Sequence, residues 1–119
     1  MKQIAFTFLL FISLLSCKGQ VQVADAEVLR NLAAKETTII VDVRTPEEYS
    51  EGHLDKTVNI PLTVLPDSVE VLKKYENVIL ICKSGRRADK AKKQLEESGF
   101  SNVYNGGGWQ SFKAILEEE

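Results

Sequence analysis

The sequence predicts an α/β domain with a central parallel sheet of about five short strands and helices on both faces. A chain of 119 residues is long enough for one compact domain with one site. Two runs rich in β-branched residues, 37–43 and 78–81, are typical of strands covered on both faces of a parallel sheet. Segments with helical periodicity alternate with these and with shorter strand segments, which favours parallel pairing.

Local signals place the elements in chain order. Residues 21–23 alternate like an edge strand, and Asp25 can cap a helix that carries Val28, Leu29 and Leu32 on one face. Residues 45–48, Thr-Pro-Glu-Glu, form a capping box that begins a second helix, and Gly52 ends it. The later elements are a strand at 58–61, a helix from Asp67 through Val71, Leu72 and Tyr75, the strand 78–81, a helix from Arg87 to Gly99 with Ala88, Ala91 and Leu95 inward, a strand at 103–104, a glycine loop at 106–108 and a closing helix at 109–116.

The first sixteen residues belong to a different class of segment. Lys2 precedes an apolar run, 4–15, that is too short for a bilayer span, which needs about 20 helical residues. A positive start, a short apolar core and a small residue at Ser16 predict a secretory signal, so residues 1–16 are excluded from the fold. The sequence from Leu14 to Cys17, Leu-Leu-Ser-Cys, resembles the lipobox of bacterial lipoproteins.

This resemblance implies cleavage before Cys17 and a lipid on its thiol. Residues 17–22 would then be a lipid-attached tether and residues 23–119 the domain, exported and anchored to the inner or outer membrane on its periplasmic side. An ordinary signal peptide with an incidental cysteine is the alternative. The net charge of -2 and the lack of a basic groove give no support for nucleic-acid binding. We expect a monomer.

Cys82 is the candidate nucleophile. It ends the predicted strand 78–81, at the edge where parallel sheets hold their sites. The strand–turn–helix arrangement aims backbone N–H groups at the sulfur, and the loop Lys83, Ser84, Gly85, Arg86 and Arg87 adds positive charge. Such a cradle favours a thiolate and can also hold an anionic substrate. If Cys17 is acylated, Cys82 is left as a single thiol in an oxidising compartment, which is uncommon for a purely structural cysteine.

The ordered motifs resemble those of the rhodanese family. They are Val41-Asp42-Val43-Arg44, Glu48-Tyr49, Gly52-His53-Leu54, Asn59-Ile60-Pro61, Cys82-Lys83-Ser84-Gly85-Arg86-Arg87 and Gly107-Gly108-Trp109. Related phosphatases place an arginine six residues after the cysteine, where this chain has Ala88, so the loop is similar to the sulfur-handling version. Two departures are Asp55-Lys56 after the Gly-His motif and Arg87 where the family often has Ser or Thr.

The resemblance implies a thiosulfate sulfurtransferase without a metal or organic cofactor. Cys82 would carry the sulfur as a persulfide, and residues 83–87 would bind the donor, before cyanide or a thiol accepts the sulfur. Two alternatives stay open: a persulfide carrier that receives sulfur from a partner protein, and an envelope interaction module without sulfur transfer. We interpret Asp42, Arg44 and Glu48 as a structural charge network, and we give His53 no catalytic role.

Overall fold

The computed structural model describes residues 21–118, which form four strands and five α-helices. The strands are β1 (Thr38–Asp42), β2 (Val58–Asn59), β3 (Asn77–Cys82) and β4 (Val103–Gly108). The helices are α1 (Ala26–Ala33), α2 (Pro46–Glu51), α3 (Val69–Leu72), α4 (Arg86–Glu97) and α5 (Trp109–Glu117), and a 3-10 helix at Leu62–Ser68 precedes α3.

The four strands form one parallel sheet in the order β2-β1-β3-β4. Side chains of β1 and β3 alternate between two apolar layers because successive residues of a strand point to opposite faces. One layer packs against α1 and α5, and the other against α3 and α4; the second contains Leu80 and Cys82. The predicted α/β class with helices on both faces is confirmed.

Several elements form where the local signals placed them. Asp25 caps α1 by accepting a hydrogen bond from the N–H of Glu27 at 2.9 Å. Thr45 and Glu48 form the predicted capping box at the start of α2. Among residues 21–118, no helix is both long and apolar enough to cross a bilayer.

Three details differ from the predictions. Residues 21–23 are not a strand, because the N–H of Ala24 makes a single bond to the carbonyl of Asn105 instead of a ladder. The sheet described by residues 21–118 therefore has four strands, not about five. The glycines 106–108 continue β4 instead of forming a loop. The helix expected at Asp67 begins earlier, as the 3-10 turn at Leu62.

The face of α1 also differs in one position. Leu29 and Leu32 are buried, whereas Val28 is 42% exposed. The buried pair is three residues apart and lies on one side of the helix, while Val28 is rotated by about 100° from its neighbour Leu29. The apolar stripe of α1 is therefore narrower than the sequence pattern indicated.

Candidate active site

Cys82 lies at the carboxyl end of β3, and its side chain is 1% exposed. Its sulfur faces the layer of α4, beside Ala88 in the first turn of that helix. The loop that follows Cys82 also lies against the sulfur, through the N–H of Gly85. The predicted placement of Cys82 at the end of a buried strand agrees with the structure.

Gly85 brings the backbone against the sulfur. Its N–H donates a hydrogen bond to Cys82 Sγ at an N–S distance of 2.9 Å. Gly85 has φ of 92°, in the left-handed region that favours glycine, and it is the N-cap of α4. The N–H groups of the first helical turn lack partners inside a helix, so the amides of Arg86 to Ala88 are oriented toward the same end. The loop is therefore a cradle of N–H donors suited to a sulfur anion.

The loop cations divide into two groups. Lys83 and Arg86 are exposed, and the described residues hold no ion-pair partner for either. Arg87 instead turns to Glu48, with Nη1–Oε1 and Nη2–Oε2 distances of 2.6 and 2.9 Å. The guanidinium that the sequence assigned to donor binding is thus largely neutralised by a carboxylate from α2.

The ion pair shifts the pKa values of both Glu48 and Arg87. The hydrogen bonds from Arg87, supported by the N–H and hydroxyl of Thr45 and the charge of Arg87, lower the pKa of Glu48 from 4.5 to about 2 against an opposing effect of burial. The hydrogen bond to Glu48 raises the pKa of Arg87, and negative charge at Glu48, Cys82 and Asp42 acts in the same direction. The pair stays charged at every pH at which the protein would function.

Two glycines of β4 form the wall next to the loop. A Cβ on Gly108 would lie 2.6 Å from the carbonyl oxygen of Lys83, so only glycine fits without moving backbone. Gly107 has φ of 82°, and a Cβ there would meet the side chain of Val23 at 3.3 Å. Val21 similarly lies against Gly85, so residues 21–23, part of which were predicted to be tether, cover the back of the loop.

An open cleft of about 360 Å³ adjoins the loop. Its lining residues are Arg44, Glu48, Glu51, Gly52, Lys83, Trp109 and Gln110. Both charge signs are present, and the Trp109 ring gives the cleft an apolar side. Cys82 does not line this cleft; Lys83 connects the two. The cleft is the space from which a small substrate could approach the loop.

The charge network predicted to be structural is only partly as expected. Arg44 is 4% exposed and pairs with the fully buried Asp42 at 2.8 Å, and it stacks over Trp109 at 4.8 Å. The backbone carbonyl of Glu48 accepts a hydrogen bond from Arg44, whereas its carboxylate accepts from Arg87. His53 stacks on Tyr49 with a centroid distance of 3.9 Å, outside the cleft and the loop.

Sequence reasoning missed the Glu48–Arg87 contact and the hydrogen bond from Asn105 Nδ2 to the carbonyl of Gly85. The first joins residues 39 positions apart, and no local pattern signals it. The second has a weak signal, because Asn105-Gly106-Gly107 is a typical turn sequence. The predicted lipidation of Cys17 and the predicted signal peptide 1–16 lie outside the described residues.

Fold and loop together define a small α/β protein that holds a cysteine against a backbone N–H at a helix N-terminus. The chain belongs to the rhodanese family, since the family model described as "Rhodanese-like domain" matches residues 25–115. It is 32% identical over 92 residues to "Putative sulfurtransferase YtwF" of Bacillus subtilis, covering 77% of this chain and 89% of that protein.

Two further comparisons agree. The chain is 37% identical over 76 residues to "Thiosulfate sulfurtransferase PspE" of Escherichia coli, covering 57% of this chain and 67% of that protein. Among solved structures it resembles a "rhodanese with anions from E. coli", with a TM-score of 0.57 and 33% identity, covering 61% of this chain and 88% of that one. These relatives support a sulfurtransferase or sulfur-carrier role.

Proposed function

We propose that this protein transfers a sulfane sulfur from thiosulfate, or a similar anionic donor, through a persulfide on Cys82 to cyanide or a thiol. The hydrogen bond from Gly85 N–H to Cys82 Sγ carries this assignment, because it places the sulfur at the N-terminus of α4. Lys83 and Arg86 are the exposed cations beside the sulfur and would meet the donor. The thiosulfate sulfurtransferase and the anion-bound rhodanese among the relatives support this choice of donor.

The first half-reaction begins with attack of the Cys82 thiolate on the outer sulfur of thiosulfate. A Cys82–sulfur bond forms, the sulfur–sulfur bond of thiosulfate breaks, and sulfite leaves with the bonding electron pair. The product is an anionic persulfide, whose negative charge the N–H groups of the cradle stabilise as they would a thiolate. Preorganised N–H donors are effective here because they need no rearrangement when charge moves by one atom.

The second half-reaction returns the enzyme to its starting state. Cyanide or a thiolate attacks the outer persulfide sulfur, a new bond to that sulfur forms, and the Cys82–sulfur bond breaks. The electron pair returns to Sγ, so the products are thiocyanate or a small-molecule persulfide and the Cys82 thiolate. No oxidant or reductant is consumed in either half.

Intact-protein mass spectrometry tests this chemistry. The full chain is incubated with thiosulfate and freed of excess donor, and variants Cys82→Ser and Cys17→Ser are treated in parallel. We expect wild type and Cys17→Ser to gain one sulfur atom that cyanide removes, and Cys82→Ser to gain none. Equal loading of Cys82→Ser and wild type would refute the assignment of the nucleophile.

A persulfide carrier is the second candidate, favoured by the 1% exposure of Cys82, which would shelter a persulfide from solvent. A carrier would turn over little thiosulfate but would accept sulfur from a protein persulfide. The same mass measurement with a persulfidated donor protein separates the two. Loading from the protein alone would select the carrier.

We also propose that Cys17 carries a lipid, so that the enzyme works at an envelope membrane facing the periplasm. Val21 contacts the active loop at Gly85. Four Cα–Cα steps join residues 17 and 21, a reach of about 14 Å at most, so the anchor would hold the catalytic edge close to the bilayer. Intact mass spectrometry of the detergent-extracted protein should show wild type without residues 1–16 and with the added mass of a lipid, and Cys17→Ser without the lipid. A wild-type mass without a lipid would refute this.

A further inference from the structure

Asn105 is a buried amide beside the active loop. It lies in β4 opposite Leu80 of β3, and its side chain belongs to a residue that is 1% exposed. It is one of the few polar residues in the interior, and it is 20 positions distant from the loop residue that it contacts. A polar group buried at this depth is costly unless its hydrogen bonds are made.

Both ends of the Asn105 amide are used. Nδ2 donates to the carbonyl oxygen of Gly85 at 3.1 Å, and Oδ1 accepts from the N–H of Gly107 at 2.8 Å. The orientation of the amide is determined, because a backbone carbonyl can only accept and a backbone N–H can only donate. The side chain therefore joins the active loop to the end of β4.

The strand is irregular at this point. Leu80 pairs with Asn105 and Ile81 pairs with Gly107, so Gly106 is an extra residue in β4. Such a bulge re-aims the backbone and is often found next to an active site. The bulge turns the N–H of Gly107 back toward Asn105, and this leaves the amide's Nδ2 available for the loop.

Gly85 connects this bond to the sulfur. Its carbonyl accepts from Asn105, and its own N–H donates to Cys82 Sγ at 2.9 Å. With φ of 92° and no side chain, Gly85 has wide conformational freedom unless its neighbours restrict it. The N–H of Asp89 also bonds the Gly85 carbonyl, but it belongs to α4 and moves with the loop's own helix. Asn105 is the side chain that joins the Gly85 carbonyl to β4 of the sheet.

We propose that Asn105 is a positioning residue that holds Gly85 so that its N–H faces the sulfur of Cys82 and, under the proposed function, the persulfide. Its side chain bonds the Gly85 carbonyl and the Gly107 N–H, not the sulfur, and so acts on the sulfur through one residue, Gly85. Its removal should lower the rate of sulfur transfer much more than it weakens donor binding, which depends on Lys83 and Arg86.

The test uses Asn105→Ser in the full chain, with Asn77→Ser as the matched control. A serine hydroxyl can still accept a hydrogen bond from the N–H two residues later. The variant therefore retains the bond from the Gly107 N–H and loses the bond from Asn105 Nδ2 to the Gly85 carbonyl. Asn77 lies in β3 at 7% exposure and bonds Thr38 Oγ1 at 3.3 Å, at the other end of the sheet. Asn105→Asp is a second variant, which retains the acceptor and places an oxygen against the Gly85 carbonyl.

Four quantities are measured: kcat and KM with thiosulfate and cyanide, and the amide NMR signal and hydrogen exchange of Gly85. We expect Asn105→Ser to lower kcat about tenfold or more, to change KM for thiosulfate less than threefold, and to speed exchange at Gly85. Asn77→Ser should leave all four near wild type. Wild-type kcat together with an unchanged Gly85 amide in a folded Asn105 variant would overturn the assignment.

The Gly85 amide separates this question from the identity of the reaction. If wild type takes no sulfur from thiosulfate, the proposed function fails, yet the amide of Gly85 still reports whether Asn105 orients the loop. A faster-exchanging Gly85 amide in Asn105→Ser would then support positioning without the reaction. If wild type is active and the variant loses activity while the Gly85 amide is unchanged, positioning fails alone.

Discussion

The contact between Glu48 and Arg87 is the sharpest place to perturb this site. Glu48→Gln retains the capping function of the third helical position, which accepts Gln as well as Glu, but it removes the charge that Arg87 pairs with. Arg87→Gln removes the other charge, and the double variant closes a thermodynamic cycle that isolates the pair. The two atom pairs at 2.6 and 2.9 Å make the contact bidentate, the stronger geometry for an arginine–carboxylate pair.

The structure sets the expected magnitude. A fall in the pKa of Glu48 from 4.5 to about 2 corresponds to a ceiling of about 3 kcal/mol, since each tenfold change in acidity is worth about 1.4 kcal/mol. The side chains are 32% and 30% exposed, so water screens them. Pairs with such exposure contribute about 0.2–1 kcal/mol in double-mutant cycles, and the bidentate geometry favours the upper end. We expect a coupling energy of about 1 kcal/mol at neutral pH.

The pH dependence has a definite sign. The folded-state pKa of Glu48 is lowered, so the stabilisation is fully present above about pH 4.5 and is lost as the pH falls toward 2. Urea unfolding of all four proteins at pH 7 and at pH 3 measures this. The difference between wild type and Glu48→Gln should shrink at the lower pH. A coupling energy near zero at pH 7, or one that grows on acidification, would refute the assigned pairing.

Three other perturbations probe the wall, the loop charges and the cap. Gly108→Ala should destabilise the protein and abolish turnover, because its Cβ would lie 2.6 Å from the Lys83 carbonyl oxygen. The control Gly52→Ala should fold normally in thermal melts, because its Cβ would lie 3.5 Å from the Trp109 ring. Equal effects of the two substitutions would contradict this. Arg86→Gln should raise KM for thiosulfate more than Arg87→Gln, since Glu48 already neutralises Arg87; steady-state kinetics in which Arg87→Gln has the larger effect would return Arg87 to donor binding. Thr45→Ala should cost about 1 kcal/mol in urea unfolding through loss of the cap, and a change below about 0.3 kcal/mol would show that the capping box is not needed.

Local sequence signals predicted most of the fold, because its determinants are short in range. The β-branched runs of β1 and β3 need no partner to be recognised, and Asp25 and Thr45 cap helices that begin within three residues of them. The extent of β4 could not be predicted in the same way. Glycines 106–108 resemble a loop, but they extend β4 because Gly107 and Gly108 pair with Ile81 and Cys82 of β3. Glycine is needed at 106 and 108 because Ile79, Ile81 and the Lys83 carbonyl leave no room for a Cβ.

The candidate site likewise has one part that local sequence signals predicted and one part that they could not predict. Cys82 and the cradle follow from a strand, a glycine and a helix start that are contiguous in sequence. The partner of Arg87 does not, because a cation in a first helical turn has the same local pattern whether it binds a substrate or a carboxylate. Only the packing of α2 against the loop, across 39 positions, distinguishes the two.

This packing has a consequence for donor choice under the proposed function. With Arg87 paired to Glu48, the exposed positive charge beside Cys82 comes from Lys83 and Arg86. Two cations match a dianionic donor, and once sulfite has left, the same cations and the N–H of Gly85 face a persulfide of single charge. A third free cation would hold sulfite more tightly and slow its departure. The Glu48–Arg87 pair thus stabilises the junction of α2 and α4 while it limits the positive charge at the sulfur, and Glu48→Gln should strengthen inhibition of turnover by sulfite.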